Sequence, residues 1–229
     1  MNALAPSRTR KDMSLVKLRL AALLSVTLLS ACSTTGEVVD EKSGGGVYAV
    51  RSSCPIIGVP AGTGDITLFN PPASTDSRAI DVTATITDVR ATCQDTGGEV
   101  ISTATFTVTA LRSNGGPARQ VVVPYFSVVL RGGLTVAAKT IGQAVLNFGP
   151  GDAHAWTRIQ TTVRVNRAAA TLPANVRAIL TKVRKPGESD AATDPLADPA
   201  VRSAVANATF EHLVGFQMNQ DQLKYNATR

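Results

Sequence analysis

Few side chains in this sequence have the type and spacing to do chemistry. The 229 residues hold two histidines, His154 and His212, and one tryptophan, Trp156. His154 and Trp156 follow the turn residues Gly149-Pro150-Gly151-Asp152. A turn that presents an imidazole beside an indole can form part of a ligand-binding loop, so this pair is a candidate binding site. The competing reading is a loop-edge histidine beside a core tryptophan. His212 sits in the alternation Phe210, His212, Val214, Phe216, Met218 and is expected as a hydrogen-bonded core or interface residue.

Asp190, Asp194 and Asp198 stand four apart in a proline-rich loop that could offer oxygen ligands to calcium. The dense alternation of a calcium loop and its closing glutamate are missing. Asp194 and Asp198 each precede a proline, which suits turn initiation and helix capping better. Arg177, Lys182, Arg184 and Lys185 form a basic cluster that could meet anionic headgroups or a phosphate-bearing glycan. Lysines on a strand edge also serve to block unwanted pairing, which is the commoner reason for them. There is no serine flanked by glycines of the nucleophile-elbow type. There is no phosphate-cradling Gly-Lys-Ser/Thr loop. Carboxylates are sparse in the strand-like runs, with Asp81 and Asp88 as the exceptions. Catalysis is therefore not expected, and neither a metal nor a cofactor is called for.

Three cysteines carry more information. Cys32 ends the run Leu29-Ser30-Ala31-Cys32, behind the apolar stretch Leu20–Leu29 and a basic segment with Arg8, Arg10, Lys11, Lys17 and Arg19. Ten apolar residues are too few to span a bilayer, which takes about 20. They have the proportions of a secretory signal core, and Met13 is an alternative start with the same proportions. The arrangement resembles a bacterial lipoprotein signal with its lipobox. The resemblance implies cleavage before Cys32, a diacylglycerol thioether on its sulfur and an acyl chain on its new amine. Several buried chains make such an anchor effectively permanent. In that family the residue after the cysteine helps sort lipoproteins between membranes. Ser33, in place of aspartate, implies the outer membrane, on the periplasmic side. With Cys32 lipidated, Cys54 and Cys93 are an even pair in an oxidising compartment, and a disulfide is expected between them.

Charge then reads differently. The whole chain carries 23 basic and 17 acidic residues, but five of the basic ones and Asp12 lie before Cys32. The remaining 198 residues have a formal charge of +2, which gives no case for nucleic-acid binding. The expected partners are the membrane, through the lipid, and another envelope protein.

The elements that must position these residues are mostly strands. Residues 1–31 are the expected signal and 32–46, with Gly44-Gly45-Gly46, a polar tether. Residues 47–185 are the expected domain. Ile80, Val82, Ala84 and Ile86 alternate with polar residues, and the phase slips near Asp88, as a β-bulge would make it do. Gly97-Gly98 turns the chain into the alternation Ala104, Phe106, Val108, Ala110. Asn114-Gly115-Gly116-Pro117 reads as a hairpin turn. Val121–Leu130 suits a central strand, with Pro124 confined to an edge or bulge. Leu134–Phe148 reads as one or two strands about Gly142, and Trp156–Val165 as another. Val176–Arg184 fits helical spacing, but its β-branched content leans towards a strand. Residues 186–229 read as a loop and a C-terminal extension. In it, Asp198-Pro199 starts a helix, Phe210–Met218 forms a strand, and Asn219 with Gln222 caps a short terminal helix. The fold expected is mainly β: an antiparallel immunoglobulin-like sandwich with a small helical, α+β extension at the C-terminus. The function expected is a non-catalytic binding or assembly factor. The alternative is a small-molecule or glycan binder with a pocket near Trp156. An assembly factor should expose an apolar patch, with Phe210, Phe216 and Tyr225 as candidates.

Overall fold

A computed structural model describes residues 52–184 and 187–228. The expected signal, Cys32, the tether, Val47–Arg51 and Lys185 lie outside the described residues.

The alternation predicted from sequence becomes eight strands: β1 (Ile56–Gly58), β2 (Asp65–Phe69), β3 (Ile80–Thr96), β4 (Glu99–Arg112), β5 (Arg119–Arg131), β6 (Thr135–Phe148), β7 (His154–Asn166) and β8 (Phe210–Phe216). Three helices follow β7 or β8: α1 (Ala174–Leu180), α2 (Pro199–Asn207) and α3 (Gln220–Thr228). One sheet has the order β1-β8-β5-β6 and the other β2-β3-β4-β7. Neighbours are antiparallel except β1 and β8, which run parallel. The fold is β-sandwich-like. Its main core joins Val82, Ala84, Phe106 and Val108 of one sheet to Val123, Leu146, Val214 and Phe216 of the other. A second cluster of Val100, Val129, Val163, Val165 and Phe210 fills the end nearest the disulfide.

Asp88 has φ +52°, and the β3–β4 register shifts between Thr87 and Arg90, so the phase slip is a bulge. Every second residue of β4 from Val100 to Arg112 faces the core. The opposite face is largely threonine, whose branched side chain suits a pleated, half-exposed surface. Asp198 accepts from the Ala200 N–H at 2.8 Å and starts α2. Asn219 and Gln222 bond each other's backbone N–H groups reciprocally at 2.9 and 3.0 Å, the capping box of α3.

Four expectations need correction. The Asn114–Pro117 turn is not a hairpin: it carries the chain from β4 to β5 in the other sheet. β4 already has β3 and β7 on its two sides, so no edge is left for a hairpin partner. Val176–Arg184 is not a strand. Its helical spacing prevails over its β-branched content, α1 forms, and Val176 is the residue it buries. Of the one or two strands expected over Leu134–Phe148 there is one, β6, with the Tyr125 ring lying against Gly142, so this expectation is met. The segment after residue 186 is more than an extension, because β8 lies between β1 and β5 inside a sheet. Pro124 stands on a central strand without being at a bulge. The β5–β8 register ends at Tyr125 with Phe216, and at the next step the Pro124 carbonyl accepts from the Gln217 N–H at 2.9 Å, so the ladder stops where proline has no N–H to return.

Candidate functional site

Each chemically capable residue can be followed to its place. Cys54 and Cys93 are disulfide-bonded, with Cα atoms 6.0 Å apart. The bond ties the start of β1 in one sheet to β3 in the other.

His212 is fully buried on β8. Its Nδ1 is 3.1 Å from Ser102 Oγ on β4 and its Nε2 is 2.9 Å from Ser127 Oγ on β5. The three polar side chains therefore bridge the two sheets through the core. A neutral imidazole satisfies both serines, accepting from one hydroxyl and donating to the other. Burial holds its pKa down to about 4. Among the described residues no carboxylate bonds the ring, and both serines are buried. The cluster is a polar bridge inside the core, as expected of His212.

Arg112 was not a sequence candidate. It is 3% exposed, at the inward phase two residues after Ala110. Its guanidinium donates to four backbone carbonyls: Asp152 at 2.5 Å, Pro117 at 2.9 Å, and Gly116 and Gly149 at 3.0 Å. The Phe148 ring lies 5.2 Å below it. The Gly151 N–H also donates to the Gly116 carbonyl, so the β4–β5 and β6–β7 connections are stitched together at one end. A charged residue in an inward position ahead of a turn was the signal available in the sequence.

The three spaced aspartates have other partners. Asp194 and Asp198 cap helical turns, bonding the Leu196 and Ala200 N–H groups. Asp190 receives Lys182 Nζ at 2.5 Å, and that hydrogen bond chiefly lowers its pKa. The basic cluster is thus partly neutralised, with Arg184 also 3.9 Å from Asp190. Asp81, half-buried, takes a bidentate pair from Arg119 at 2.7 and 3.1 Å. Asp88 pairs with Arg90 beside the bulge.

His154 and Trp156 share the outer face of β7, opposite Leu111 and Thr109 of β4. Trp156 is 70% exposed, so it is not a core tryptophan. The strand brings imidazole and indole side by side, but on an open sheet face rather than in a pocket. Two clefts, of about 270 and 690 Å³, lie at the opposite end. The smaller is bounded by Ser52–Cys54 and Ala208–Phe210, the larger by Gly97, Gly98 and Asn166–Pro173, and neither touches Trp156. The aromatic residues expected to be exposed also differ: Phe210 and Phe216 are buried, and Tyr225 packs edge-on against Phe69 at 5.1 Å.

One exposed apolar surface lies instead on β5 and β6. Val122 and Val145 are cross-strand partners, as are Phe126 and Ile141. Val122, Ile141 and Val145 are exposed. β6 bonds β5 on one side and lies at the sheet edge on the other. The other edges are blunted. β1 has three residues, β7 carries Arg158 and Arg164, and β2 is covered by α3, whose Asn226 Nδ2 donates to the Asp65 carbonyl at 2.7 Å. β6 has fourteen residues and one charge, Lys139. The scarcity of charge between Leu134 and Phe148 was the signal that sequence reading passed over.

Among the described residues no helix is long and apolar enough to cross a membrane. Comparison with models of protein families, with curated proteins and with solved structures finds no match to this chain.

Proposed function

We propose that this protein is a lipid-anchored lipoprotein of the outer membrane, facing the periplasm, that binds or assembles other envelope proteins without catalysing a reaction. Cys32 is its lipid attachment site. The resemblance of residues 29–32 to a lipobox supports the anchor, and the Cys54–Cys93 disulfide suits an oxidising compartment. The observation that carries the binding role is β6, a long edge strand with one charge and with Ile141 and Val145 exposed on its outer face. Such an edge accepts an extended segment of a partner through main-chain hydrogen bonds, while Val122, Ile141 and Val145 contact its side chains. The likeness to an immunoglobulin sandwich goes as far as two four-stranded layers with connections that change sheets. The consecutive neighbours β2, β3 and β4 depart from the immunoglobulin order.

Two measurements test the reading. Replacing Cys32 by alanine should move the protein from the membrane to the soluble fraction; continued sedimentation with membranes removes the anchor. A photo-crosslinking residue at Val145 should capture an envelope protein in intact cells and lose it when Ile141→Lys adds a second charge to the edge. Capture that ignores this change, or no capture, removes the β6 role.

A second reading, a glycan-binding lipoprotein, is carried by Trp156. An exposed indole beside His154, Leu111 and Thr109 offers an apolar platform rimmed by polar groups, on which a sugar ring can stack. Titration with envelope glycan fragments should then change Trp156 fluorescence, and a flat titration dismisses it.

A further inference from the structure

One end of the sandwich carries an apolar row where the chain enters. Ile56, Glu211, Leu130 and Val136 are successive partners across β1, β8, β5 and β6. Their neighbours Ile57, Phe210 and Val129 pack in the core, so these four point outward. Ile56 is 63% and Val136 58% exposed. Leu134 stands at the tip of the β5–β6 turn beside Gly132 and Gly133, and it is 90% exposed. A leucine so exposed on a turn tip contributes nothing to the core, yet it extends the row at the extreme end of the sheet.

Charge at this end is largely consumed within the protein. Asp95 pairs with Arg167 at 3.2 Å and Glu99 with Arg164 at 3.6 Å. Arg131 donates to the Asn207 carbonyl at 2.7 Å. Glu211 is the one acid in the row.

The chain enters at this end, four residues before Ile56. Nineteen residues separate Ser52 from Cys32, and they reach at most ~65 Å when fully extended. A surface tied so closely to a bilayer meets it at high effective concentration, so weak apolar contacts suffice to seat it.

We propose that this end docks on the bilayer that holds Cys32, with Leu134 entering the headgroup–acyl boundary and Ile56 and Val136 at its rim. The proposal rests on the lipid-anchor reading above and adds an orientation to it. The domain stands end-on, with β6 rising from the membrane and Trp156 at the far end.

The test uses the full acylated chain in vesicles of phosphatidylethanolamine and phosphatidylglycerol, with and without brominated acyl chains. Leu134→Trp in a Trp156→Phe background places the sole indole at the tip. Leu134 is exposed, so the change does not threaten the fold, and an intact Cys54–Cys93 bond verifies this. Bromine should quench that indole several-fold more than it quenches Trp156 in the unaltered chain. A protein that floats with the vesicles but shows equal quenching overturns the docking and leaves the anchor standing. A blue-shifted but unquenched indole means that protein covers the row, and it overturns the docking too. Failure to float overturns the anchor and the docking together.

Discussion

Two buried polar residues set sharp expectations at the residue scale. His212 has a folded-state pKa near 4, below the ordinary value of about 6.5. Between these values the unfolded chain binds a proton that the folded chain refuses. Its contribution to stability is therefore complete above pH 6.5, falls as the pH drops towards 4, and changes no further below that. The loss amounts to about 3 kcal/mol. Urea unfolding at pH 7 and pH 4.5 should show this loss, and His212→Gln should show a smaller one, because its side chain does not titrate. Equal pH dependence in the two proteins would show that the bridge is not the titrating element. Arg112 is the other case. Lysine has three donors and no planar fork, so Arg112→Lys cannot keep all four part-buried hydrogen bonds and should cost about 1–3 kcal/mol. An unchanged urea midpoint would mean that water replaces the guanidinium. His212 was visible in the sequence and Arg112 was not. His212 stood at an inward phase and was read as a satisfied core residue. Its partners Ser102 and Ser127 stood at inward phases too, but nothing in one sequence says that three strands will meet there.

Alternation and caps were legible at the scale of the element, because they depend on neighbours in the chain. The bulge at Asp88, the Asp198 cap and the Asn219–Gln222 box are local, and the sequence contains all their parts. The strand pairings of β5 were not legible. Its two aromatic residues cover glycines on opposite faces: Tyr125 lies over Gly142 of β6 and Phe126 over Gly215 of β8. Gly142 read alone marked a possible break between two strands, and it is a packing partner once the neighbouring strand is in place. A Cβ at Gly215 would overlap the Phe126 ring and the Thr63 hydroxyl, so Gly215→Ala should destabilise by about 1–3 kcal/mol. Gly98 has open space around it, and Gly98→Ala should stay within about 0.5 kcal/mol. Thermal unfolding of the two variants compares them, and equal midpoints would show that the ring moves aside freely. α1 shows the reverse error, where propensity was weighed above spacing.

Cross-links count for most at the scale of the whole molecule. The Cys54–Cys93 bond closes a loop with a sequence separation of 39. Closing such a loop stabilises by about 4 kcal/mol in the chain-entropy model. Reduction should lower the urea midpoint accordingly, and two thiols should become reactive only after reductant is added. Thiols reactive without it would contradict the bond. The long strands and the two-layer class could be read from period and turns, whereas the three-residue β1 could not. The assignment of each strand to a layer could not, because it depends on partners far away in sequence, as Asn114–Pro117 shows.

The parallel pairing of β1 with β8 carries a consequence for biosynthesis. β1 and β8 lie far apart in sequence and complete the same layer, so that layer cannot close until β8 has been made. A polypeptide cut short before Phe210 keeps β6 on one side of β5 but has nothing for the other, and it presents bare ladder groups there to any passing chain. Late closure makes loss of Phe210–Phe216 a lesion of the interior rather than a trimmed tail.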